Sequence, residues 1–204
     1  MSHTDDTVAA YHLDAAAYAG NGATMPDSVR RDIGAFAQQL GAGARVLEIG
    51  SGGGRDARLM EELGLRVRRT DITPGFVALL RAQGHDADVL DPLTDDLASP
   101  EGPYAAVWAN ASLLHVARRD LPTVIARLAA VVRPGGLLRI SVKEGDGEGW
   151  STHGSISSPR HFTYWRADAL ATVVADAGWR DVEIAHEAGR KNADSWLELS
   201  AVRA

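Results

Sequence analysis

The stretch VLEIGSGGGRDARL, residues 46–59, runs from an apolar segment through one acid into five small residues, four of them glycine. Glycine permits a tight turn and lets a ligand lie against bare backbone. Between a strand and a helix, such a turn is where a doubly wound sheet binds a nucleotide-like ligand. Asp71, in RRTDIT, follows roughly 20 residues later, the spacing at which a carboxylate meets ribose hydroxyls. No Gly-Lys-Ser/Thr closes the loop, so it is not a phosphate-binding P-loop. A dinucleotide turn needs G-x-G-x-x-G; from Gly50 the chain reads GSGGGR, with Arg55 in the last place. Glu48 would also stand beside a doubly negative pyrophosphate. A cationic ligand reverses that objection, because Glu48 favours positive charge, either directly or by fixing the loop amides. Arg55 and Asp56 form a pair at the helix start that holds the loop or reaches the ligand.

The elements that must position this turn are legible as alternating patterns. Strands are predicted at RVLEI (45–49), LRVRRTD (65–71), DADVLD (86–91), YAAVWAN (104–110), LLRISVK (137–143), DVEIAHE (181–187) and SWLELSAV (195–202). Helical spacing or capping signals fall at 53–64, 73–84, 118–136 with an end at Pro134, and 166–178. Before them, two helices are predicted over 5–19 and 26–40, separated by the breaker GNGATMP. Strands alternating with helices imply an α/β fold with a doubly wound, Rossmann-like, mostly parallel sheet of seven strands. The last two strands have no helix between them and must form an antiparallel hairpin at the sheet's end. We expect a single domain over 1–204, with residues 1–42 as a helical lid and 45–204 as the ligand-binding core.

Composition narrows the function. Of 204 residues, 27 are acidic and 21 are lysine or arginine, giving a formal charge of −6. That argues against a nucleic-acid partner, which calls for a basic patch. There is no cysteine, which excludes disulfides, thiolate catalysis and zinc–thiolate sites. The seven histidines lack metal-ligand spacing, so no metal is expected. The N-terminus has no basic start followed by an apolar core, and no apolar run approaches a membrane span. The expectation is a cytoplasmic protein with no membrane partner.

VLEIGSGGGRDA, TDITPGFVALL, YAAVWANASLLHV and VVRPGGLLRISV, in that order over about residues 45–145, resemble the successive motifs of class I S-adenosylmethionine (SAM)-dependent methyltransferases. ADALATVVADAGWRDVEI and SWLELSAV continue the likeness through the closing hairpin. ASLLHVARRDL, SVKEGDGE, HFTYWRADAL and SWLEL are similar to small bacterial enzymes acting on small molecules. SAM carries a sulfonium and an ammonium, the cation that the glycine turn admits. The resemblance implies that Gly50, Ser51 and Gly52 meet its methionine portion. It further implies that Asp71 accepts from both ribose hydroxyls, that Ile72 packs on the adenine and that Asp91, or else Asp88, meets the adenine amino group. Asn110 and Ala111 would line the methyl-transfer side. The implied activity is methyl transfer to an oxygen, nitrogen or sulfur atom of a small molecule. A SAM-binding regulatory module and an NAD-dependent oxidoreductase are the rival readings. The pattern Asn/Asp-Pro-Pro-Tyr/Phe of DNA amino-methylation is absent; the chain reads NASL there.

The remaining polar residues divide by position. His115, after the fourth strand, is a general base or a packed side chain shaping the pocket. The long segment 143–165 leaves the carboxyl end of the fifth strand, where loops carry function, and is expected to border the acceptor. Its polar candidates are Lys143, Glu144, His153, His161 and Tyr164, with Glu144 and His161 as further possible bases. Tyr11 and Tyr18 are seven apart and share a helix face, to touch ligand or to dock the helix. Arg190 could pair with a substrate carboxylate or sit in a solvated turn.

Overall fold

In a computed structural model, residues 3–152, 156, 158–188 and 195–204 are described. Three helices come first: α1 (His3–Leu13), α2 (Ala15–Asn21) and α3 (Asp27–Leu40). The alternating part follows as β1 (Arg45–Ile49), α4 (Arg55–Glu62), β2 (Arg66–Asp71), α5 (Pro74–Ala82), β3 (Ala87–Val89) and β4 (Tyr104–Asn110). A short 3₁₀ turn (Leu113–His115) leads to α6 (Leu121–Val131) and β5 (Val132–Lys143). β6 (Glu148–Ser151), β7 (Arg160–Thr163), α7 (Ala167–Asp176), β8 (Trp179–Ala188) and β9 (Ser195–Arg203) complete the chain.

Seven strands form one sheet in the order β3-β2-β1-β4-β5-β9-β8. β3 through β5 are parallel, and β9 runs antiparallel to both β5 and β8. The doubly wound sheet and its antiparallel end are as expected from the sequence. Strand alternation assigns the two faces. Val46, Ala106, Trp108 and Leu137 meet Ile33 and Phe36 of α3 and Met60 of α4. Leu47, Val107, Leu138 and Leu199 meet Leu121, Ile125 and Leu128 of α6 and Leu170 and Val174 of α7.

Three local expectations differ. The first helix breaks at Asp14 into α1 and α2. The helix expected to reach Pro134 stops at Val131, and Val132 already pairs with Tyr104. The residue before a proline disfavours helix, and the ladder takes over one turn earlier. The segment 143–165, expected as a loop, contains the antiparallel pair β6–β7, with Glu148 opposite Thr163 and Ser151 opposite Arg160.

The order of strands reverses direction between β1 and β4, so the carboxyl ends of these two strands frame a crevice. α1 and α2 lie across it. Their alanine content suits this close approach: a Cβ on Gly53 would lie 3.0 Å from the Cβ of Ala19.

Phe36 is fully buried against Trp108, with ring centroids 5.2 Å apart. Phe36→Ala is expected to cost about 3–5 kcal/mol and to lower the melting temperature by on the order of 10 °C. Thermal unfolding followed by circular dichroism checks this; a change of only a degree or two contradicts the assigned packing.

Candidate active site

The crevice is a cavity walled by the ends of β1, β2 and β4 and roofed by Tyr11 and Tyr18 of α1 and α2. Its floor is the turn after β1. Gly50 has φ +81°, and a Cβ there would lie 2.3 Å from the Cβ of Ser112. No other residue type fits that conformation and that gap. Both Gly50 and Ser51 donate their N–H groups to the Thr70 carbonyl at 2.9 Å, tying the turn to β2.

Asp71 closes the adjoining wall. One carboxylate oxygen accepts the Gly52 N–H at 2.9 Å and the other the Thr73 N–H at 2.8 Å. Burial raises the Asp71 pKa, against the opposing effect of these two N–H groups and of the Thr73 hydroxyl.

Below the turn lies a second acid. Glu48 is buried and accepts the Ser51 hydroxyl at 2.5 Å. Burial, then the charge of Asp56, pushes Glu48 up to about 8. In the free protein it is therefore largely protonated at neutral pH. Asp56 itself is spanned by three donors: Arg55 Nε at 2.8 Å, Trp108 Nε1 at 3.1 Å and Asn110 Nδ2 at 2.7 Å.

On the β4 side, His115 reaches the cavity within a directed chain of hydrogen bonds. Its Nδ1 lies 2.6 Å from the carbonyl of His161, which can only accept, so Nδ1 carries the proton. Its Nε2 lies 2.8 Å from the Tyr11 hydroxyl and accepts from it. Arg160 Nη1 in turn donates to the Tyr11 oxygen at 3.3 Å. Burial pushes the imidazole down to about 4, and the Arg160 charge acts the same way. Burial also raises the Tyr11 phenol, so it keeps its proton. The result is a neutral imidazole whose free lone pair is covered by a residue 104 positions away in the chain.

Of the residues singled out in the sequence, the structure brings together Tyr11, Tyr18, Gly50, Gly52, Asp71, Ile72, Asp91, Ala111 and His115 in the cavity wall. Others point elsewhere. Glu48 and Ser51 support the turn from beneath. Arg55 reaches from Asp56 to the carbonyl of Gly22, linking the exit of α2 to the turn. Asn110, expected on the methyl-transfer side, instead turns its amide to Asp56 and Ser141 on the α3 face of the sheet. Glu144, expected as a possible base, pairs with His186 at 3.2 Å and with Arg166 at 4.0 Å. His161 stacks on His3 with centroids 4.4 Å apart and contributes its carbonyl, not its ring, to His115. Lys143 is buried with its ammonium 5.0 Å from the Phe162 ring centroid. Tyr164 packs near Gly145. His153 and Arg190 lie outside the described residues. Among the described residues no group of three metal-ligating side chains occurs, and no helix is long and apolar enough to cross a membrane.

Sequence reasoning missed Phe76, which packs against Tyr11 and Tyr18 at 5.9 and 5.5 Å, and Ser112 beside Gly50. Phe76 lies on the apolar face of a predicted helix and gave no separate signal. Strand parity could have placed Asn110: it shares a face with Trp108 and Ala106.

A family model described as a methyltransferase domain matches residues 22–184. The ubiquinone biosynthesis O-methyltransferase of Xanthomonas oryzae pv. oryzae (strain PXO99A) is 34% identical over 105 residues, 49% of this chain and 43% of that protein. The match thus spans less than half the length of that curated relative. Burkholderia thailandensis 1,6-didemethyltoxoflavin-N1-methyltransferase, solved with 1,6-didemethyltoxoflavin and S-adenosylhomocysteine (SAH), superimposes with a TM-score of 0.72 at 22% identity, covering 100% of this chain and 92% of that one. Magnesium protoporphyrin IX methyltransferase from Synechocystis PCC 6803, solved with SAM, also gives 0.72, at 14% identity, covering 100% and 98%.

The buried acid beneath the turn has a pH signature. Folding raises Glu48 from 4.5 to about 8, so the folded state binds the proton more tightly. Its contribution to stability falls as pH rises between those values and is flat above them. Glu48→Gln abolishes the effect. Its melting temperature relative to the unsubstituted protein should therefore climb from about pH 5 to about pH 8 and then level off. A difference independent of pH would show that Glu48 titrates like an exposed carboxylate.

Proposed function

The chain belongs to the methyltransferase-domain family, and on that premise we propose that it transfers a methyl group from SAM to an oxygen, nitrogen or sulfur atom of a small molecule. One observation carries the reading. At the point where the strand order reverses, a bare backbone turn at Gly50 and an N–H-anchored carboxylate at Asp71 share one cavity wall. The residues fit the cofactor: Asp71, Ile72 and Asp91 line the same cavity, where Asp71 would accept from the ribose hydroxyls, Ile72 would pack on the adenine and Asp91 would accept from its amino group. The backbone of Gly50 and Gly52, both in the cavity wall, would meet the methionine portion. Bound SAM supplies a methyl group on a sulfonium, already an activated leaving group.

The chain's own task is then alignment and exclusion of water. Tyr11 and Tyr18 roof the crevice, with Phe76 behind them. An acceptor entering from the β4 side meets Ala111 and His115. A hydroxyl acceptor must lose a proton, and the Nε2 of His115 is the lone pair at hand once Tyr11 yields it. A small-molecule acceptor is supported by the superimposed Burkholderia thailandensis enzyme, solved with 1,6-didemethyltoxoflavin, and the formal charge of −6 disfavours nucleic acid. The proposal includes residence in the cytoplasm, which the cysteine-free composition suits.

SAM or SAH at a hundredfold excess over its dissociation constant should stabilise the fold by about 2.7 kcal/mol, read as a rise in melting temperature. NAD should give none; stabilisation by NAD and not by SAH would favour an oxidoreductase. His115→Ala is expected to lower turnover about 10²-fold while leaving SAM affinity within a factor of two to three. Unchanged turnover would remove His115 as a base.

A further inference from the structure

Helix α1 turns one side to the crevice: Thr4, Thr7, Val8 and Tyr11 line it, the spacing of a single helix face. At the start of the helix, His3 lies flat on His161 of β7, with ring centroids 4.4 Å and planes 12° apart. Trp150 of β6 meets the same imidazole edge-on at 5.7 Å. The His161 N–H also donates to the Thr7 hydroxyl at 3.0 Å. One residue of β7 thus fastens α1 twice, once through its ring and once through its backbone. A helix of 11 residues is marginal when isolated in water, so α1 depends on such contacts.

The His161 ring is enclosed. The residue is 6% exposed, and its Nδ1 is buried with no hydrogen-bond partner among the described residues. An imidazolium there would have two N–H donors to satisfy and a charge to solvate. Burial, and next the charge of His3, hold His161 below the ordinary histidine value, against the opposing pull of Glu148 on β6. Glu148 is itself fixed by the Arg118 N–H at 2.8 Å. Arg160, beside His161 on β7, turns to the Tyr11 oxygen, and His115 takes the His161 carbonyl.

A proton that binds weakly while α1 is docked favours the undocked helix. Lifting α1 takes His3 off the ring and opens it to water, which restores an ordinary histidine at about 6.5. Docking is therefore fully favoured above that pH and loses ground below it, by at most about tenfold per unit for one proton. His115, held down to about 4 beneath Tyr11, takes up a proton in the same direction once uncovered.

We propose that the His3–His161 stack is an acid-released latch: protonation of His161 frees α1 from β7 and uncovers the crevice. Tyr11 lies two turns further along the same helix, so its bond to His115 Nε2 breaks when the latch opens. The consequence for cofactor access rests on the methyltransferase reading; the latch itself does not.

Hydrogen exchange of the ligand-free protein, read by mass spectrometry and corrected for the intrinsic rate at each pH, tests this without any cofactor. Protection of α1 should fall at least about threefold from about pH 7.5 to about pH 5.5, one proton allowing up to about tenfold. Protection of α7 should hold, because the opening is local. His161→Phe keeps a ring under His3 but carries no proton, and its fall should be about half the parent's or less. His3→Ala removes the stack and should lower α1 protection already at about pH 7.5. If His161→Phe does not fold, His3→Ala and the parent's pH series decide. Protection of α1 that is independent of pH in the parent, an undiminished fall in His161→Phe, full protection in His3→Ala, or a parallel loss in α7 each overturns the latch. SAH binding at neutral pH is measured separately: its absence would remove the methyltransferase reading and leave the latch standing.

Discussion

Everything in the crevice depends on one steric constraint: there is no room for a side chain at Gly50. The chain leaves β1 with φ +81°, and the space beyond its Cα belongs to Ser112 at the end of β4. Two loops from adjacent strands therefore touch, backbone to side chain, at the reversal of the sheet. The same turn gives its next N–H to Asp71. β1, β2 and β4 thus meet at a single point, and the cavity wall is the surface they leave uncovered.

Charge is arranged in two layers around that point. Asp71 faces the cavity with both oxygens anchored by backbone N–H groups. Glu48 and Asp56 lie beneath, the first holding Ser51 and the second gathering Arg55, Trp108 and Asn110. The acid just before the glycines thus acts on the loop, not on the cavity wall. Its protonation in the free protein follows from burial beside Asp56. A cation placed above the turn would draw that proton off by the same electrostatics that make the site suit a sulfonium.

The sheet, its order of helices and strands and its antiparallel end were legible because each rests on a local period or a turn residue. The glycine turn and Asp71 were legible because their spacing is set by one βαβ unit. What escaped depended on distant parts of the chain. The β6–β7 pair joins Glu148–Ser151 to Arg160–Thr163 across the serine-rich stretch 152–159, which carries no two-residue hairpin signal. His115 and Tyr11 each stood out alone, yet their hydrogen bond spans most of the first half of the chain. Glu144 and His161 had the right chemistry at the right end of the sheet. Their side chains are claimed by His186 and Arg166 in one case and by His3 in the other. Asn110 shows that a motif's position does not fix a side chain's direction; the pleat does.

The central claim is that the cofactor lies across the reversal between β1 and β4, with its nucleoside toward Asp71. A crystal structure of the protein grown with SAH tests this most directly. The account predicts both ribose hydroxyls within hydrogen-bonding distance of the Asp71 carboxylate and the amino-acid end over Gly50. SAH bound with its ribose away from Asp71, or on the α3 face of the sheet, would contradict it.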